Sequence, residues 1–170
     1  MPGDFAQVLE GRLAALGRAA ARSDLTQLLA HELGDPSRYT LEGPEIALHP
    51  DWAFALSLLF HELAVNALRH GALSIPEGHV DVGWHIDEGN LVLSWQETGG
   101  PPVRRPSAPG FGNLLVRYAA VKLEGSANLL YFQSGLRCDL RVSLHACWPQ
   151  RRGAMLIAPR ETHTLPTRAM

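Results

Sequence analysis

Three side chains in the stretch 60–74, FHELAVNALRHGALS, could do chemistry together: Glu62, Asn66 and His70. Spaced four apart, they fall on one line of a helix with 3.6 residues per turn, while Leu59, Leu63 and Ala67 turn to the other side. A carboxylate, an amide and an imidazole on an otherwise apolar helix make a polar wall that can accept a proton, ligate through oxygen and donate to an anion. A solvated helix face is the alternative, but such faces are rich in Lys and Glu, and here Arg69 is the one nearby cation. A zinc helix built on His61 and Glu62 needs a second His where this chain has Val65, so metalloprotease chemistry does not fit.

The wall needs elements to position it. Apolar spacing predicts one long buried helix over 51–69, ended by Gly71, and an amphipathic helix over 4–22 with Phe5, Val8, Leu9, Leu13 and Leu16 on its stripe. Ser23 is placed to cap a short helix over 24–33, stopped by Gly34 and Pro36. Gly43-Pro44 reads as a turn between short strands at 39–42 and 45–49. Alternating residues predict a hairpin of 79–86 and 90–96 about Glu88-Gly89-Asn90, and another of 126–133 and 136–144 about Ser134-Gly135. Between them lie a proline-rich loop at 101–109 and a helix at 113–121; after His145 the pattern ends. This order predicts an α/β fold, a mixed sheet with helices on one face in a two-layer sandwich. We divide the chain into an N-terminal helical segment (1–35), a central domain (36–145) and a tail (146–170).

Composition sets the outer bounds. A chain of 170 residues with 46% hydrophobic content suits one ordinary core. Fifteen Lys and Arg against seventeen Asp and Glu, with no basic stripe, argue against nucleic acid as a partner. No apolar run reaches a membrane span and no signal-peptide pattern opens the chain, so a cytoplasmic location is expected. Cys138 and Cys147 are too few for a disulfide scaffold or a zinc site.

His61-Glu62-Leu63-Ala64-x-Asn66-Ala67 followed by Gly71-Ala72-Leu73 resembles the N box of the HWE subfamily of sensor histidine kinases, within the GHKL ATPase superfamily. Trp95-x-Glu97-x-Gly99-Gly100-Pro101 resembles that subfamily's G1 box, and Gly110-Phe111-Gly112 its G2 box. The resemblance runs from about residue 8 to 144 and rests on three separated motifs. It implies the Bergerat ATPase fold, with ATP and Mg²⁺ between the long helix, the 101–109 lid and the G1 turn.

Site roles follow from the same resemblance. Asn66 would give an amide oxygen to Mg²⁺, which takes octahedral oxygen ligands shared with water and phosphate. Glu62 stands at the position of the general base. Glu97 occupies the place of the acidic residue that accepts from the adenine amino group, with Gly99 and Gly100 allowing close approach. Gly110, Phe111 and Gly112, with Leu114 beyond them, would hold phosphates at a helix N-terminus, and Arg69, Arg104 and Arg105 could add charge. His70 replaces the Tyr common in the subfamily and could donate to a phosphate. His61 is expected to be structural, packing against Trp95 or the sheet.

The function implied is that of an ATP- and Mg²⁺-binding catalytic domain of a bacterial two-component sensor histidine kinase, moving the γ-phosphoryl group to a histidine supplied elsewhere. Its partners would be a phosphoacceptor histidine helix and a response regulator. Segment 4–22 would correspond to the second helix of the dimerisation hairpin, with the acceptor helix missing, so a weak homodimer through its exposed stripe is expected. His31, near the end of its short helix, reads as a capping residue and not as an acceptor. The alternative is a phosphotransfer or docking scaffold that keeps the shell of the fold without binding nucleotide.

Overall fold

The computed structural model describes residues 24–103 and 111–144. Helix α1 is Leu25–Leu33, β1 is Tyr39–Glu42, α2 is Pro50–Arg69, β2 is His79–Asp87, β3 is Asn90–Thr98, α3 is Phe111–Lys122, β4 is Ser126–Phe132 and β5 is Gly135–Ser143. The five strands form one mixed sheet in the order β1-β2-β3-β5-β4. β1 runs parallel to β2 and every other neighbouring pair is antiparallel.

Strand alternation decides the layers. Val80, Val82 and Trp84 of β2, Leu91, Leu93 and Trp95 of β3, and Leu136, Cys138, Leu140 and Val142 of β5 share one buried face. Register puts Val82 beside Trp95 and Trp95 beside Cys138, so the inner row is continuous across three strands. Against this face lie Leu56, Leu59, Phe60 and Leu63 of α2, Val116, Ala119 and Ala120 of α3, and Leu25 and Leu29 of α1, all in a single core. Alternate positions such as Asp81, His85, Arg137 and Arg141 are exposed, which gives the two-layer α/β sandwich expected from the element order. Burial pushes the Cys138 thiol up to about 12, so it packs as a small hydrophobe.

The β2–β3 hairpin turns on Glu88 and Gly89, both at positive φ (46° and 75°), the pairing that matches the twist of the flanking strands. Two local expectations differ. The cap of α1 is Asp24 and not Ser23: its carboxylate accepts from Thr26 N at 2.8 Å. Residues 45–49 form no strand; β1 already holds the slot beside β2, and the segment instead meets the entry to α1 through the Asp24–Ala47 bridge and the Leu25 N to Ile46 O bond of 3.1 Å. The helix expected over 4–22, most of the 101–109 lid and the tail lie outside the described residues.

Candidate functional site

Helix α2 forms because its apolar positions recur at helical spacing, and its C-terminal half carries the polar wall. Leu59, Leu63 and Ala67 are fully buried, which rolls Glu62, Asn66 and His70 along the adjoining side. The three differ in depth: Glu62 is buried, Asn66 half-buried, and Arg69 and His70 are exposed. At the helix end, Asn66 O accepts from His70 N at 2.9 Å and from Gly71 N at 3.1 Å, a bond that Gly71 shares with Ala67 O.

The first turn of α3 closes over this wall. A Cβ at Gly112 would lie 3.1 Å from Glu62 Oε2 and 3.3 Å from Asn66 Nδ2, so backbone from one motif lies one side-chain atom away from both key side chains of another about fifty residues away in sequence. Phe111 opens the helix, and Leu114 is 54% exposed. Gly110, Arg104 and Arg105 lie outside the described residues.

At the far side of Gly71 stands Glu97, 1% exposed on the inner face of β3. Its Oε2 accepts from Ala72 N at 2.9 Å and its Oε1 from the Trp95 indole N–H at 3.3 Å. Burial raises its pKa above the ordinary carboxylate value, while those two bonds pull the other way. The fit is close enough that a Cβ at Gly71 would fall 1.9 Å from Glu97 Oε2. Gly99, at φ 69°, and Gly100 bring the end of β3 against the same connection: their Cβ positions would meet Glu77 O at 2.7 Å and Ala72 Cα at 2.5 Å.

His61 takes a partner on α1: its Nδ1 lies 3.0 Å from Glu32 Oε2, so it ties the two helices together instead of filling space beneath Trp95. Arg38, which no sequence pattern singled out, grips the Gly71–Gly78 connection by its carbonyls. Its acceptors are main-chain oxygens distant in sequence, and such partners leave no side-chain signal to read.

The donor set around Asn66 is hard oxygen, an amide and a carboxylate, which suits Mg²⁺ better than zinc or copper. Among the described residues no group of three or more His, Cys, Asp and Glu could hold a metal ion, so an ion at Asn66 would draw most of its ligands from water and phosphate. None of the described helices is long and apolar enough to cross a membrane.

No family model matches the chain. A blue-light-activated histidine kinase 1 of Erythrobacter litoralis is 39% identical over 111 residues, covering 64% of this chain and 31% of that protein. A blue-light-activated histidine kinase of Rhizobium johnstonii is 30% identical over 154 residues, covering 83% of this chain and 45% of that protein. The chain therefore spans less than half the length of these relatives. Among solved structures, the histidine kinase domain of the Erythrobacter litoralis EL346 blue-light-activated kinase superposes with a TM-score of 0.57 at 20% identity, covering 78% of this chain and 61% of that one.

Proposed function

The chain belongs with the catalytic domains of histidine kinases of the HWE type, and from that premise we propose that it binds ATP with Mg²⁺ and passes the γ-phosphoryl group to a histidine on a separate helix. The observation that carries this reading is the convergence of three separated motifs on the C-terminal half of α2: Gly112 over Glu62 and Asn66 at one end, Glu97 behind Gly71 and Ala72 at the other.

Each residue then has a task. Bound Mg²⁺ would neutralise charge on the phosphates, and Asn66 would hold it through the amide oxygen. Glu62, buried beside Asn66, would accept the proton of the attacking group or orient a water. Gly112 lets the α3 backbone come close enough for its first N–H groups to face phosphate oxygens. Glu97 has spent one acceptor site on each oxygen and keeps a free lone pair on both, enough to take the adenine amino group directly or through a water. Catalysis of this kind rests on positioning and electrostatics. The acceptor helix is the partner that such a reaction requires, and a response regulator would take the phosphoryl group onward from it.

Titration with a fluorescent ATP analogue, with and without Mg²⁺, tests the reading. Saturable binding that strengthens with Mg²⁺ and is competed by ATP supports it; absence of binding at millimolar nucleotide would sink it.

A further inference from the structure

Arg38 ends the short 3-10 turn Pro36–Arg38, directly before β1. Its guanidinium donates to three carbonyls of the connection between α2 and β2: Nε to Gly78 O at 3.2 Å, and Nη2 to Gly78 O at 3.0 Å, to Ala72 O at 3.4 Å and to Ile75 O. That connection has little internal order of its own. It holds one 3-10 turn, Ala72–Ser74, closed by Ser74 N and Oγ on Gly71 O at 3.1 and 2.7 Å, and one turn bond from Gly78 N to Ile75 O at 3.3 Å.

The opposite side of the same segment presents Ala72 N to Glu97 and packs against Gly99 and Gly100. Ala72 thus has its carbonyl held by Arg38 and its N–H held by Glu97. Three carbonyl dipoles converging on one point favour a cation between them; Arg38 gathers all three on Nη2 and adds a second bond to Gly78 O through Nε, a planar two-point grip on that carbonyl that the single nitrogen of Lys does not reproduce.

We propose that Arg38 is the positioning residue for Glu97: by gathering the carbonyls of Ala72, Ile75 and Gly78 it fixes the Ala72 N–H that orients the carboxylate, and so sets the selectivity for the base. The link from Arg38 to Glu97 stands on the geometry alone. Its extension to the base rests on the proposed nucleotide binding.

The test compares wild type with Arg38→Lys by NMR without nucleotide, following exchange of the Ala72 amide, exchange of the Cys138 amide in the sheet, and titration of the carbon-13-labelled Glu97 carboxyl. The expected result is Ala72 exchange faster by about tenfold or more at unchanged Cys138 exchange, with Glu97 titrating at higher pH because it loses a bond that lowers its pKa. Equal acceleration at both amides, or an unmoved Glu97 titration, overturns the proposal.

If Arg38→Lys does not fold, Arg38→Ala is refolded with ethylguanidinium. Recovery of Ala72 protection supports the clamp, and failure to recover it counts against it. The same chains are then titrated with ATP and GTP. A fall of about tenfold in the ATP-to-GTP preference of the variant is expected, and an unchanged preference at lower affinity rejects the extension to the base. Wild type that binds neither nucleotide rejects the proposed function, while the amide exchange still decides the role of Arg38.

Discussion

A methyl group at Gly112 would lie 3.1 Å from Glu62 Oε2, so the backbone of α3 closes directly over the carboxylate of α2. The neighbours that such a methyl meets are ends of side chains and can yield. Gly112→Ala should therefore keep or raise stability by up to about 1 kcal/mol, because Ala favours the helix. ATP affinity should nevertheless fall about tenfold as the space over Glu62 and Asn66 fills. Thermal melts and nucleotide titration on one preparation check both halves; a loss of stability with affinity unchanged would refute the site.

Asn66→Ala should abolish the Mg²⁺-dependent part of ATP binding while leaving the fold intact. Asn66 is half-buried and is not among the residues of the hydrophobic core, so the cost in stability should stay within about 1 kcal/mol. Binding with the same Mg²⁺ response as wild type counts against Asn66 as the ligand.

Glu97 gives the chain a pH signature. Burial raises its folded-state pKa above 4.5, so just above that pH the folded chain keeps a proton there that the unfolded chain has released. Stability contributed by this group is highest below 4.5, falls as pH rises through the raised value, and stays low above it. Glu97→Gln removes the titration, so the melting temperature of the variant minus that of wild type should climb over the acid range above the ordinary carboxylate value. The amide also swaps an acceptor for a donor, and adenine selectivity should drop. A flat difference across that range contradicts the burial argument.

Gly71 and Glu97 should couple. A Cβ at Gly71 falls 1.9 Å from Glu97 Oε2 and 3.0 Å from Ala67 Cα, so Gly71→Ala should cost about 1–3 kcal/mol. Shortening the neighbour in Glu97→Ala frees part of that space. Denaturant unfolding of the two single variants and the double variant should show a coupling of about 1 kcal/mol or more, and strict additivity would rule out the contact.

His31 should accept no phosphate. It lies in the last turn of α1, three residues before Gly34, whose N–H closes the helix on Ala30 O at 3.0 Å. The last turn of a helix is an ordinary place for a basic side chain, which accounts for this residue without phosphotransfer. Incubation with labelled ATP should leave no acid-labile label on the chain, and transfer should appear when a chain bearing an acceptor helix is added. Label that vanishes in His31→Gln would overturn this.

Much of the frame was legible because it is written in periodicity. The run to Arg69 repeats apolar residues at helical spacing, and the strands of both hairpins alternate with turn residues between them. Even the burial of Glu97 has a trace, since it shares parity with Leu91, Leu93 and Trp95 on the inner face of β3. Residues 45–49 misled because Ile46 and Leu48 alternate like a strand, yet alternation reports burial and not a free place in the sheet. The Glu97–Ala72 and Arg38–Gly78 bonds join side chains to distant backbone, and nothing in residue type foretells them.

The parallel pairing of β1 with β2 has a consequence for assembly. β2 and β3 meet through a two-residue turn and can zip locally, but Tyr39 reaches Val80 only after the whole of α2 has been laid between them. Loop closure delays such a contact, so the β1 edge docks after the local β2–β3 hairpin has zipped. Arg38 immediately precedes that edge. The grip on the Ala72 connection is therefore set after that hairpin forms, and a chain caught between the two steps would own the β2–β3 ribbon with Glu97 still lacking its support from Arg38.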